Sequence, residues 1–252
     1  MTQAAVDDTW IRSFHPAAGG GANLACFPHA GGSASYFRPM SEALKGALRV
    51  SAVQYPGRQD RMHEPNLSSI AELADAAHGA LRPLMGEPLA FFGHSMGAVI
   101  AFEVAQRMLA AGDRPPLALF VSGRCAPSRF REGTVHLLDD AGLAEHLKRT
   151  SGTDPRILED PGVLEMILPP VRSDYAAIEN YRAAPDTPRL DCPVVAFVGK
   201  EDRSVDEDEA RAWAEHTTGG FSLHSYSGGH FFLDEHLPAI SSVIAGGLSP
   251  KS

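Results

Sequence analysis

The chain has 252 residues, 44% apolar, 21% charged and 8% aromatic, and its 22 basic against 31 acidic side chains give a net charge of −9. This composition belongs to a folded protein able to bury a full-sized core, and it excludes disordered and fibrous classes. The acidic balance and the lack of a Lys/Arg block argue against nucleic-acid binding, and no apolar stretch reaches the ~18 residues of a membrane span.

At the start of the chain, residues 1–14 lack the basic region and apolar run of a secretory signal, so a cytoplasmic protein is expected. Short apolar runs then alternate with helical patterns. Residues 24–27, 50–53, 89–92, 117–121, 194–198 and 221–224 read as strands, most of them continuously apolar rather than alternating. Such strands are buried on both faces, which predicts an α/β class with a mainly parallel sheet between helix layers.

Between the second and third runs, Ser69 and Glu72 form a capping box ahead of Ile70, Leu73, Ala74, Ala77 and Leu81, which share one helical face. After the third run, residues 98–109 are apolar almost all round and Gly112 supplies a left-handed stop, which predicts the central, most buried helix. Residues 128–188 hold only helical patterns, punctuated by Pro169 and Pro170, and are expected to form a helical lid inserted within one domain spanning residues 1–252. Residues 1–8 and 246–252 are expected to fray. Cys26, Cys125 and Cys192 are odd in number, widely spaced and set in or beside apolar runs, the pattern of buried thiols rather than of disulfides or metal ligands.

Gly93-His94-Ser95-Met96-Gly97 follows a predicted buried strand and opens the most apolar helix. That is the strand, sharp turn and helix that a nucleophile elbow requires, with Ser95 exposed above the sheet edge. A serine hydroxyl needs a base. In the chain order Ser, acid, His, the base falls late, and His230 lies in a Gly-flanked loop after the last strand. His224 lies in a strand pattern, His216 in a helical one, and the main rival His236 begins the last helix. The acid is expected at the end of residues 194–198, where Glu201 and Asp202 stand together and Asp202 has the shorter, better-fixed reach; Asp206 and Asp208 suit the start of the next helix. The backbone N–H of Met96 and that of Ala30, in the Gly-rich turn Phe27-Pro28-His29-Ala30-Gly31-Gly32, are the expected oxyanion donors, and His29 is expected to position that loop.

Taken together these residues resemble the type II thioesterases of polyketide and nonribosomal peptide synthases, over nearly the whole chain. The resemblance rests on FPHAGG with Tyr36-Phe37, on YPGRQDRMHEP at residues 55–65, on FFGHSMGA with Ala101-Phe102-Glu103, on SDY with Glu179 and Tyr181, and on GGHFFL. It implies an α/β-hydrolase fold, a triad of Ser95, His230 and Asp202, and an oxyanion hole at Ala30 and Met96. It also implies hydrolysis of aberrant or stalled acyl groups from the phosphopantetheine arm of acyl or peptidyl carrier proteins, met transiently, without metal or cofactor. The acid loop departs from the family pattern, in which a proline often follows the aspartate. Carrier proteins of the kind the resemblance implies are usually acidic, as is this chain, so recognition has to be local. Arg58 and Arg61 in one loop, and Arg124, Arg129 and Arg131 leading into the lid, are candidates for a substrate entrance. A monomer is expected. A carboxylesterase or an acyltransferase on the same machinery remains the alternative.

Overall fold

Strands that are apolar at every position must be covered on both faces. The computed structural model describes residues 9–16, 21–150 and 157–249 and places each predicted run in one seven-stranded sheet. The strands are β1 (Ile11–Arg12), β2 (Asn23–Phe27), β3 (Arg49–Val53), β4 (Leu89–His94), β5 (Leu119–Ser122), β6 (Val194–Gly199) and β7 (Phe221–Tyr226). Their spatial order is β1-β3-β2-β4-β5-β6-β7, and all neighbours are parallel except β1, which runs antiparallel to β3. The two-residue β1 carries no periodicity and escapes the sequence reading.

Alternate side chains of one strand feed two cores. Ala25 and Phe27 of β2 join Phe91 of β4 on one face, while Leu24 and Cys26 join Phe92 and Phe120 on the other. The first face is covered by α2 (Ile70–Leu81) and α3 (Met96–Ala111), the second by α1 (Arg38–Leu44) and α7 (Phe232–Leu248). Helix α3 is buried on nearly every side and stops at Gly112, whose φ of 68° is the left-handed cap expected of it. Helix α2 starts at Ser69, whose hydroxyl accepts from the Glu72 N–H at 3.2 Å. All three cysteines are buried thiols.

Between β5 and β6 the described residues contain helices and no strand. Here α4 (Asp140–Thr150) and α5 (Pro161–Glu179) close over a separate small core of Leu143, Leu147, Leu158, Leu168 and Val171. The expected break at Pro169-Pro170 is corrected: α5 runs through both prolines. The carbonyls that lose their helical donors belong to Glu165 and Met166, both exposed residues, while Leu168 and Val171 anchor the helix inward. The expected fraying of residues 246–252 is corrected for 246–248, which continue α7, held by Ile240 and Ile244; residues 1–8 and 250–252 lie outside the described residues. Helix α6 (Glu207–Arg211) begins at Asp206 with a full capping box. Among the described residues no helix is long and apolar enough to cross a membrane.

The chain leaves β2 toward β3 on one side and returns to β4 on the other. This reversal opens a crevice at the carboxyl ends of β2 and β4, where ligands bind in such sheets.

Candidate active site

Steric demand dictates the turn after β4. A Cβ on Gly93 would stand 2.3 Å from the Gly97 carbonyl oxygen, and one on Gly97 would stand 2.0 Å from that of Phe27. Only glycine fits at either place, and the chain therefore turns within one residue. That residue is Ser95, at φ 54° and ψ −119°, a conformation costly for a side-chain-bearing residue. Its N–H is fixed on the Ser122 carbonyl at 2.8 Å, and its side chain opens into a cavity of about 670 Å³. Met96 follows as the first residue of α3, so its N–H is one of those a helix leaves without an internal partner.

Phe27 of β2 pairs with Gly93 of β4, which brings the loop carrying Ala30 beside the Ser95 turn. Ala30 and Ser95 line the same cavity, as does His230 from the loop after β7. His230 Nδ1 lies 2.7 Å from Asp202 Oδ2, whose side chain is 1% exposed. Asp202 Oδ1 accepts the N–H of Ser204 at 2.8 Å and its hydroxyl at 2.6 Å, and that hydroxyl is 2.9 Å from His230 Nδ1. Burial raises the Asp202 pKa, but the hydrogen bonds and charge of His230 and the Ser204 donors outweigh it, holding the carboxyl below its ordinary value. Glu201 turns to the Gly228 N–H instead, and His236 is bound to Ser227, so neither rival enters the cluster.

Two further histidines pack here. His94 is fully buried, with Nδ1 3.0 Å from Ser122 Oγ and Nε2 unpartnered, and its ring lies 5.1 Å from that of His230. His29 packs against Tyr36 and Phe231 at 4.6 and 4.9 Å, with Nδ1 unpartnered. Burial, and then the charge of His230, lowers both; His29 is pushed down to about 3 and His94 well below the ordinary imidazole range. Helices α4 and α5 supply the apolar wall through Leu147, Met166, Ile167, Val171 and Tyr175.

The entrance arginines are corrected. Arg58 does touch the cavity, but it is 7% exposed and donates to both oxygens of Asp174 and to the carbonyls of Gly32 and Pro56. Arg61 is 6% exposed, bonded to Glu64 and the Gln54 carbonyl and stacked on Trp10. Arg129 and Arg131 are paired with Glu215 and Glu209 and line no part of the cavity, and neither does Arg124. Asp174 and Ser204, which structure the site, carry no sequence signal that assigns them a partner.

A family model of the thioesterase domain matches residues 22–246. Thioesterase PikA5 of Streptomyces venezuelae is 46% identical over 237 residues, covering 94% of this chain and 84% of that one. A probable cadicidin biosynthesis thioesterase of Streptomyces griseus is 45% identical over 97% of this chain and 68% of its own. Among solved structures, the type II thioesterase BorB from the borrelidin biosynthetic cluster superposes with a TM-score of 0.90 at 47% identity, over 98% of this chain and 100% of that one. YbtT, a type II thioesterase from the yersiniabactin NRPS/PKS pathway, matches at a TM-score of 0.84 and 29% identity, over 95% and 98%.

Proposed function

This chain belongs to the thioesterase domain family, with its thioester hydrolysis carried on an α/β-hydrolase fold, and from that premise we propose an editing enzyme of polyketide or nonribosomal peptide assembly. It removes stalled acyl groups from the phosphopantetheine arm of acyl or peptidyl carrier proteins. The observation that carries this reading is the 2.7 Å contact of His230 with Asp202 at the edge of the apolar cavity into which Ser95 also opens.

In the proposed mechanism Ser95 Oγ attacks the thioester carbonyl while His230 Nε2 takes its proton, and Asp202 holds the imidazole through Nδ1–H and stabilises its positive charge. The tetrahedral oxyanion receives the N–H groups of Met96 and Ala30. Collapse breaks the C–S bond, and His230 returns the proton to the pantetheine thiolate. Water, deprotonated by the same histidine, then attacks the acyl-Ser95 ester and regenerates the serine. Each step uses side chains, backbone and water, so no cofactor enters. The Leu147, Ile167 and Val171 wall suits an aliphatic acyl group. The enzyme is proposed to act in the cytoplasm as a monomer and to meet its carrier transiently.

The test offers one acyl group as carrier-protein thioester, as truncated pantetheine thioester and as aryl ester, with Ser95→Ala as control, and follows release by intact-protein mass. Preference for the carrier-bound group is the expected result. An aryl ester hydrolysed while the carrier-bound group survives overturns the editing role in favour of a general esterase.

A further inference from the structure

Asp174 belongs to the lid helix α5, yet its carboxylate is fully buried and leaves the lid for the loop after β2. Oδ2 accepts the Gly31 N–H at 2.7 Å and Arg58 Nη1 at 2.6 Å; Oδ1 accepts Arg58 Nη2 at 3.0 Å. Arg58 also donates to the Gly32 carbonyl at 3.1 Å. Gln54 adds two bonds, accepting the Ala34 N–H at 2.8 Å and donating to the Arg58 carbonyl at 3.2 Å. Gly31 itself sits at φ 75°, and Val171 lies where a Cβ on it would stand, 2.7 Å away. The segment around Ala30 is thus gripped from the lid and from the β3 side at once.

A buried ion pair is a poor source of stability, since well-packed apolar groups of equal size often do as well. This one has a use that apolar groups lack, because its carboxylate captures a backbone amide next to Ala30. We propose that Asp174, oriented by Arg58, is a positioning residue for thioester hydrolysis: it holds the Ala30 N–H where the oxyanion forms. The proposal rests on the reading of Ser95 and Ala30 given above. It also makes one helix responsible for two tasks, since Val171 and Tyr175, on either side of Asp174, line the acyl cavity. The wall that feels the acyl chain is the wall that sets the oxyanion donor.

The test uses Asp174→Asn, which keeps an acceptor for Gly31 but removes the charge facing Arg58, and Asp174→Leu combined with Arg58→Met, which keeps an apolar volume and removes the grip. Expected is a fall in kcat of roughly 10-fold for the first and roughly 10²-fold for the second, the range for a displaced or lost oxyanion donor, with KM within about threefold. Two ligands separate positioning from collapse. An alkyl trifluoromethyl ketone is attacked by Ser95 Oγ, its proton passing to His230 and the charge staying on the former carbonyl oxygen. A non-hydrolysable alkyl thioether of the same length makes no oxyanion. Ketone affinity falls in step with kcat, and thioether affinity holds. A folded double variant with parental kcat and ketone affinity, or equal loss of both ligands, overturns the positioning role while leaving the reading of Ser95 intact. A parent protein that forms no adduct through Ser95 overturns that reading, and this proposal with it.

Discussion

Acidification should cost this protein stability through the two histidines packed beside Ser95. His94 is fully buried, and His29 is enclosed by Tyr36, Phe231 and His94 apart from the edge it shows the cavity. Burial, reinforced by the charge of His230, holds both below the ordinary imidazole range, His29 at about 3. In the unfolded chain each titrates near ~6.5. Between the folded and unfolded values the unfolded state binds more protons, so stability is full above the unfolded value and is lost as pH falls below it. Taking a neutral folded imidazole from about pH 7.5 to about pH 5.5 removes RT ln 10, on the order of 1 kcal/mol, so the pair together removes on the order of 2 to 3 kcal/mol. That is a large share of the 5 to 15 kcal/mol on the order of which such domains are stable. Urea unfolding followed by circular dichroism at the two pH values measures it. His146 and His216, also lowered by burial but partly open to water, add to the parental slope in the same direction. The informative quantity is therefore the difference: His29→Gln should remove on the order of 1 kcal/mol of the pH dependence, whatever it does to stability at the higher pH. An unchanged slope in both His29→Gln and His94→Gln would refute the burial argument.

Three other outcomes follow from the site. Ser95→Ala should lose at least ~10³-fold in rate while its circular dichroism and melting midpoint stay at or above parental values, because it removes the attacking hydroxyl and touches no core packing; turnover within tenfold of the parent would rule Ser95 out as nucleophile. Gly97→Ala drives a Cβ to 2.0 Å from the Phe27 carbonyl and should cost about 3 kcal/mol in urea unfolding, whereas Gly79→Ala, in α2 with nothing within 4 Å, should stabilise by about 0.5 to 1 kcal/mol. Ser204→Ala removes the hydroxyl between Asp202 and His230 and should lower kcat/KM by about tenfold with no change in melting, measured on the truncated thioester.

Much of this molecule is legible one segment at a time. Five of the seven strands announce themselves because a strand covered on both faces must be apolar at consecutive positions, and the Ser95 turn because two glycines are needed where backbone meets backbone. Chain order, the shorter reach of Asp202 and the Gly-flanked loop of His230 bring out these two, which share a hydrogen bond, and set aside Glu201 and His236, which bond elsewhere. Other features need the whole fold. The two-residue β1 exists only because β3 offers it an edge, and α5 survives two prolines only because its inner face is anchored. Arg58 and Arg61 read as entrance candidates in one loop, but are buried, Arg58 against Asp174 of α5 and Arg61 against Glu64 and Trp10. Asp174 and Arg58 are 116 residues apart, and nothing local to either names the other. Periodicity and steric demand are written in neighbouring residues, so the sequence by itself determines the sheet, the turn and the order of the chemical groups. Which charges are free and which are spent in holding a loop depends on what lies beside them in space, and that only the tertiary structure decides.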